Sequence, residues 1–321
     1  MLRRFVPPML WLVVVAMSPV AHACSSCGCT LNTDLGSQGV VSGIRGWRIG
    51  LRYDIVDQDQ LRSGDSTVAD PALPSADEVE RRTRNGYYTL SLDYTFNRRW
   101  GVGMELPYLD RYHSTVAEGD ATLSTSDSQS LSDVRVLGRY TGFAADMSTG
   151  LLFGLKLPTG SKGTRFDSGP QTGKLVDRSL QAGSGTTDVL LGMYHFDDFN
   201  GSSGWFAQAM YQHSLRVDAG FKPGDSLNLN LGLRYYWSDS LTPQLQFNVQ
   251  ARSHDTDADP SAHANSGGRL LYVSPGVTFN AGEGWHGYLF LQFPLFQHVY
   301  GLQLAPTRLI SAGFSHSFGQ E

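Results

Sequence analysis

Residues Asp225–His254 read DSLNLNLGLRYYWSDSLTPQLQFNVQARSH, and this stretch decides the fold. In its first half apolar and polar residues alternate, with Leu227, Leu229, Leu231, Leu233, Tyr235 and Trp237 set against Asn228, Asn230, Gly232, Arg234 and Tyr236. In its second half Leu245, Phe247 and Val249 are set against Gln244, Gln246, Asn248 and Gln250. A period of two places each set on its own face of a β-strand. With Ser238–Pro243 as the turn, the stretch predicts a β-hairpin.

The two faces of this hairpin favour a membrane barrel. One face is apolar and ends in Tyr and Trp, whereas the other carries amides and arginines. In a transmembrane β-barrel, apolar residues face lipid, aromatic rings lie at the interface and polar residues face the lumen. A soluble β-sandwich is the competing fold, since it is also built from short alternating strands. A sandwich, however, does not need inner faces rich in Arg and Gln.

Composition is compatible with a barrel and argues against a nucleic-acid partner. The chain has 321 residues, of which 40% are hydrophobic, and its net charge is −5. Its mean hydropathy of −0.23 does not point to a membrane protein. Alternation dilutes the apolar signal of a barrel, so this value is no objection. The mildly acidic balance without a basic stripe predicts no nucleic-acid binding.

The N-terminus has the pattern of a secretory signal. Arg3 and Arg4 precede an apolar run, Met9–Met17, and Ala21–Ala23 is an A-x-A cleavage site, so residues 1–23 are predicted to be a signal peptide. The run is too short for a spanning helix, which needs about 20 residues. Export of a barrel predicts the outer membrane of a Gram-negative bacterium, with outer-membrane lipid and the barrel assembly machinery as partners. The barrel itself is assigned to residues 45–321.

Alternating segments recur along the chain and predict an all-β, transmembrane antiparallel β-barrel of about twelve strands, with ten or fourteen as the near alternatives. The connections alternate between short turns, near residues 97, 145, 200, 239 and 282, and long loops, near 70, 121, 171, 221, 261 and 302. Outer-membrane barrels have short periplasmic turns and longer extracellular loops, so both termini are predicted to be periplasmic. Besides the hairpin, the predicted strands are Gly46–Asp57, Gly86–Phe96, Trp100–His113, Ser130–Phe143, Thr149–Pro158, Thr186–Phe196, Trp205–Val217, Arg269–Phe279, Trp285–His298 and Arg308–Phe318.

Two motifs flank the long loop near residue 171. They are LKLPTG, Leu155–Gly160, and GSGTTDVLLG, Gly183–Gly192. Together they resemble the K-x-P-T-G and G-T-G-x-T-D hairpin of the outer-membrane barrel family named for the meta-pathway of phenol degradation. The resemblance implies a channel for passive passage of small, hydrophobic or aromatic molecules. A purely structural reading stands beside it, because Pro158 and Gly160 are residue types that end a strand and turn it into a loop.

The mature chain is predicted to begin with a cysteine cluster, Cys24, Cys27 and Cys29. Three thiols at this spacing suit Cu(I) or Zn(II). The alternatives are one disulfide with a left-over thiol, or a lipidated Cys24. These cysteines support a competing function, a metal-binding or redox protein anchored by its barrel. Residues 24–44 are predicted to be an irregular periplasmic segment and a candidate plug for the lumen.

Charged residues on the polar faces form a predicted lumen lining. A hydrated lining of mixed charge would set the selectivity of an open pore, and the same charges could pair and close it. The sequence leaves these two states open. The predicted lining consists of Arg52, Asp54, Asp93, Glu105, Asp133, Arg135, Arg139, Lys156, Arg234 and Arg252.

No enzyme motif is present, since the chain lacks G-x-S-x-G, H-E-x-x-H and a phosphate loop. His113 and Ser114 are adjacent in a predicted strand and therefore point to opposite faces, which disfavours a catalytic pair. The segment His254–His263 resembles the first half of a calcium loop, but Pro260 replaces its glycine and Ser266 its final glutamate. We therefore predict a solvated loop there and a protein that is not an enzyme.

Overall fold

The computed structural model describes residues 45–75 and 78–319, and these residues form an almost entirely β structure. A 3₁₀ turn covers Arg178–Leu180, and one short helix, α1, covers Pro260–Ala264. None of the described helices is long and apolar enough to cross a membrane. The strands are β1 (Gly46–Gly64), β2 (Ser66–Thr67), β3 (Val79–Thr95), β4 (Trp100–Val116), β5 (Ser124–Leu131), β6 (Val134–Tyr140), β7 (Thr149–Leu157), β8 (Asp188–Asn200), β9 (Ser203–Ser214), β10 (Ser226–Tyr235), β11 (Leu241–Arg252), β12 (Gly268–Gly282) and β13 (Trp285–Gly319).

The strands close into an antiparallel barrel. Each wall strand pairs with its neighbours in the chain, and β13 pairs back onto β1 from Gly46 opposite Gly319 to Gly64 opposite Val299. Eleven of the described strands build the wall, while β2 and β5 extend it at the long-loop end by pairing with β1 and β4. The predicted all-β antiparallel barrel is therefore confirmed.

The last strand is a hairpin in itself, and it corrects the long loop predicted near residue 302. β13 folds back at Gly301, whose φ of +67° suits glycine. The amide of Ser317 donates to the Gly284 carbonyl at 2.9 Å, which shows that the two halves lie side by side. Within residues 45–75 and 78–319 the chain thus crosses the wall twelve times, as predicted. Pro306 lies opposite Gln58, next to a register irregularity that tolerates proline.

The hairpin of β10 and β11 has the two faces that its sequence predicts. Leu231 faces outward and is 48% exposed, whereas its neighbour Asn230 is 3% exposed. Inside the barrel, Asn248 Nδ2 donates to Asn230 Oδ1 at 2.8 Å across the pair. Asn230 and Asn248 thus provide hydrogen-bond partners for each other on the inner face.

Two strands extend further than predicted at the long-loop end. The segment Gln58–Asn85 was predicted to be a loop, yet β1 continues to Gly64 and β3 starts at Val79. Polar residues in these extensions pair laterally, for example Arg82, which donates to both carboxylate oxygens of Asp57 at 3.0 and 2.7 Å. An alternating apolar face is not needed there, so the hydrophobic pattern missed the extensions.

The outer surface carries an apolar belt with aromatic rings near the short turns. Trp47 lies 4.8 Å from Tyr94, and Trp100 lies 4.6 Å from Tyr140, measured between ring centroids. Inside the barrel, the faces of β12, β13 and β1 are filled by large side chains, among them Val56, Leu270, Tyr272 and Leu309. This part of the interior is therefore filled by side chains.

Candidate functional site

An inner cavity of about 220 Å³ lies against the faces of β1 to β11. Two loops, residues 158–187 after β7 and residues 215–225 after β9, contribute to its wall at the long-loop end. Basic residues on the wall are Arg52, Arg135, Lys156, Arg178 and Arg252, and acidic residues are Glu105 and Asp133. The apolar part includes Leu137, Leu190, Met210 and Phe221.

The strand register sorts these side chains into two rows. Glu105 pairs with Arg135, Arg135 with Lys156 and Lys156 with Asp188, so four neighbouring strands place one charged residue each at a single level. We call these four residues the charged row. Residues two apart on a strand share a face about 6.8 Å apart.

One step toward the short turns lies a second row. There Leu137 pairs with Gly154, and Gly154 pairs with Leu190. A Cβ built on Gly154 would lie 2.9 Å from Leu137 Cδ2, so Leu137 leans over the glycine toward Leu190. Leu190 and Met210 belong to one buried cluster, with Leu137 packed against it. We call Leu137, Leu190 and Met210 the apolar patch.

Lys156 is the centre of a buried ionic cluster. Its Nζ lies 2.9 Å from Asp188 Oδ2 and 3.2 Å from Asp133 Oδ2, and it donates to Ser184 Oγ at 2.5 Å. The side chains of Lys156, Asp133 and Asp188 are 7%, 5% and 0% exposed. A cation between two buried carboxylates lets each remain charged without water. We call Asp133, Lys156, Ser184 and Asp188 the Lys156 cluster.

The same cluster fastens both ends of the loop 158–187. Asp133 accepts from the amides of Gly160 and Ser184, each at 2.9 Å. Gly160 and Gly183 touch so closely that a Cβ on Gly160 would lie 2.6 Å from the Gly183 Cα. The two sequence motifs therefore meet in space, and their glycines allow the two ends of the loop to approach each other.

A second clamp joins this loop to the loop 215–225. Asp218 Oδ2 accepts from Lys162 Nζ and from Arg178 Nη2, each at 2.7 Å. The guanidinium of Arg178 also lies over the ring of Phe221, 5.3 Å from its centroid. The hydrogen bond from Lys162, together with that from Arg178, lowers the pKa of Asp218 below its ordinary value. The clamp is thus fully charged at neutral pH.

Asp177, in the loop 158–187, is a carboxyl group whose pKa is raised, in contrast to that of Asp218. Burial, together with the nearby carboxylates of Glu78, Asp257 and Asp259, raises the pKa of Asp177 from 3.8 to about 7. The folded loop therefore binds a proton that the opened loop releases. The stability that this proton gives to the packed loop is fully present below pH 3.8 and is lost as the pH rises through about 7.

We therefore expect opening of the loop to depend on pH. The open fraction should rise about tenfold per pH unit from pH 5.5 to 7 and then level off. Trypsin cleavage after Lys174, normalised at each pH to an unstructured peptide, measures this fraction. Asp177→Asn should give a low, flat profile, whereas Glu118→Gln, in another loop, should keep the wild-type slope. A wild-type profile that is flat over this range would contradict the assignment.

The structure distributes the predicted lumen residues over two zones. Arg52, Glu105, Arg135, Lys156 and Arg252 are on the cavity wall, together with Asp133. Nearer the short turns, Asp93 lies 3.7 Å from Arg48, Arg139 donates to Thr95 Oγ1 at 3.0 Å, and Arg234 lies 4.7 Å from the Phe206 ring centroid. Asp54 forms an ion pair with Arg52 at 2.8 Å and is not itself on the cavity wall.

The alternation of the strands gave no signal for the loop residues of the site. Arg178, Ser184, Asp218 and Phe221 lie in irregular segments, and only Ser184 falls within a motif singled out from the sequence. Their positions depend on partners 28–56 residues away in the chain. Only a folded barrel brings such partners together.

The remaining sequence candidates have structural positions of their own. His113 Nδ1 lies 2.9 Å from Thr83 Oγ1, while Ser114 Oγ donates to the Arg82 carbonyl, so the two side chains have separate partners. In the segment His254–His263, Asp255 pairs with Arg252 at 2.6 Å and Asp259 caps α1.

The metal candidates Cys24, Cys27 and Cys29, the candidate plug 24–44 and the signal peptide 1–23 lie outside the described residues. Within residues 45–75 and 78–319, no group of three or more His, Cys, Asp or Glu side chains is placed to hold a metal ion. Copper or zinc binding at the cysteines therefore remains a prediction from the sequence.

Several solved outer-membrane proteins are similar to this structure. The COG4313 outer membrane channel from Pseudomonas putida F1 is similar with a TM-score of 0.58 and 13% identity, over 85% of this chain and 96% of that one. The beta domain of the Bordetella autotransporter BrkA has a TM-score of 0.47 at 15% identity, covering 85% and 100%. The Pseudomonas putida toluene transporter TodX has a TM-score of 0.43 at 10% identity, covering 85% and 89%. No family model and no curated protein sequence matches the chain.

Proposed function

We propose that the protein is an outer-membrane channel for the passive passage of small, hydrophobic or aromatic molecules. The observation that carries this proposal is a closed barrel with an apolar exterior around a cavity of about 220 Å³. A closed barrel satisfies every ladder hydrogen bond of its wall, which is the condition for crossing lipid with strands. An inner cavity is the element that a passage requires and a purely structural anchor does not.

The exterior supports the membrane location. Leu227, Leu229, Leu231 and Leu233 all face outward and are 38–48% exposed, an arrangement suited to lipid and costly in water. Aromatic pairs such as Trp100 and Tyr140 lie near the short turns, where an interface would be. Strands of 10–12 residues such as β10 and β11 are long enough to cross the apolar layer at a tilt.

The solute class is supported by the two motifs and by the apolar patch. Lys156, Gly160, Gly183 and Asp188 match the hairpin of the phenol meta-pathway barrels, and they form the fastening of the loop beside the cavity. The solved barrel with the same fold is itself an outer membrane channel. Leu137, Leu190 and Met210 provide an apolar surface for a hydrocarbon or ring.

The orientation belongs to the same proposal. Gly46 and Gly319 pair at the short-turn end, so both ends of the barrel lie together. Short turns are periplasmic in barrels of this class, which gives periplasmic termini and extracellular loops. Export by the signal peptide and insertion by the barrel assembly machinery complete the proposal.

Single-channel recording tests it. The mature chain, residues 24–321, is refolded and its barrel verified by heat-dependent mobility in gels. We expect discrete conductance steps in planar lipid bilayers bathed in about 1 M KCl, and solute-dependent swelling of proteoliposomes. A folded barrel that gives neither conductance nor solute flux would reject the proposal.

A further inference from the structure

The cavity wall is amphiphilic, and more of its charged side chains are cations than carboxylates. Five are cationic and two are carboxylates. Three of the cations are balanced by carboxylates that are not on the wall, with Arg52 on Asp54, Arg178 on Asp218 and Arg252 on Asp255, at 2.8, 2.7 and 2.6 Å. Lys156 is balanced by Asp133 and Asp188.

Arg135 stands out among these cations. Its polar contact within the described part of the chain is an ion pair with Glu105 at 3.8 Å, which is longer than a hydrogen bond. Its side chain is 34% exposed and lies in the charged row on the cavity wall. A guanidinium has five N–H donors and matches a carboxylate with two parallel hydrogen bonds. Arg135 is therefore placed to receive an anionic group.

The apolar patch begins one step further along the same strand. Leu137 is two residues from Arg135 on the same face, and Leu190 is brought beside it across Gly154. The charged row and the apolar patch are therefore about 6.8 Å apart. A solute whose carboxylate is attached directly to a compact ring can therefore contact both.

Building on the channel proposed above, we infer that its preferred solute is a small organic anion with a carboxylate beside a compact apolar body, an arylcarboxylate. The carboxylate binds Arg135, and the ring lies on Leu137, Leu190 and Met210. A neutral hydrocarbon would use only the apolar patch and would strip water from the charged row without replacing its hydrogen bonds. The wall therefore favours the anion over the hydrocarbon.

Reversal potentials in planar bilayers test the inference with three probes. Benzoate has the ring and the negative charge, benzylammonium has the ring with the opposite charge, and acetate has the charge without the ring. We expect wild-type barrels to pass benzoate more readily than either of the others. Arg135→Gln should lower the ratio of benzoate to benzylammonium permeability about tenfold, because a charge-assisted pair is lost.

Two further variants separate the parts of the site. Arg139→Gln removes a cation from the same strand and face that lies off the cavity wall, and it should leave the ratio unchanged. Leu190→Asn keeps the branched shape and the number of side-chain heavy atoms but makes the patch polar, so it should lower the ratio of benzoate to acetate while acetate still passes. Equal or better passage of benzylammonium in wild type, or an equal effect of Arg135→Gln and Arg139→Gln, would overturn the inference and leave the channel standing. Absence of any current would overturn the channel as well.

Discussion

Replacing Lys156 by methionine is expected to lower the free energy of unfolding by about 3–5 kcal/mol, the largest effect of a single substitution in this barrel. The substitution keeps an unbranched apolar side chain that lacks the terminal ammonium group, and it leaves Asp133 and Asp188 without their cation. Both carboxylates are buried, so water cannot take the place of the ammonium group. Unfolding in guanidinium chloride, followed by tryptophan fluorescence in detergent, measures the change.

A matched control is available in the second clamp. Lys162→Met removes an ammonium group that also lies 2.7 Å from a carboxylate, that of Asp218, but this lysine is 39% exposed. Its effect should be about 0–1 kcal/mol, the range of surface ion pairs. The triple variant Lys156→Met, Asp133→Asn, Asp188→Asn should recover much of the loss, since it removes the buried charges together. Equal effects of the two lysine substitutions would refute the role given to burial.

Replacing residues 162–182 by two glycines is expected to raise the single-channel conductance several-fold while the barrel still folds. The excised segment includes Arg178 and Gln181, which form part of the cavity wall at the long-loop end. Its ends already meet, because the Gly183 amide donates to the Ser161 carbonyl at 2.8 Å. A short linker therefore closes the gap at little entropic cost.

The loop also contains a small hydrophobic core of its own, Phe166, Val176 and Leu180. The deletion of residues 162–182 removes this core entirely. Shortening residues 118–121 in the same way is the control, since that loop does not border the cavity within the described chain. Its conductance should equal that of wild type. If removal of 162–182 leaves the current unchanged while the protein remains folded, the loop does not limit passage.

Most of the wall could be predicted from the sequence, whereas the covering of the cavity could not. A period of two is a local signal, so Leu231 and Asn230 reveal their faces without any knowledge of the partners. The charged row needs more, namely the register that sets Arg135 beside Lys156, and register depends on every turn between them.

The fold of the loop 158–187 is still harder to predict from the sequence. Asp133 accepts hydrogen bonds from Gly160 and Ser184, 27 and 51 residues away, and no sequence pattern within the loop indicates these contacts. The hairpin at Gly301 was not predicted from the sequence for a different reason. Leu302, Leu304 and Pro306 lie opposite Ser63, Leu61 and Gln58 of β1, in a stretch whose register irregularities no local sequence pattern reveals.

The pairing of Gly46 with Gly319 has a consequence for the order of events in folding. The seam joins β1 to the second half of β13, residues separated by most of the chain, so no shorter nascent product contains both of its edges. Until the last residues are delivered, β1 must remain unpaired on one side, and an unpaired strand edge invites association with other chains. The barrel wall can therefore close only after the second half of β13 has reached β1.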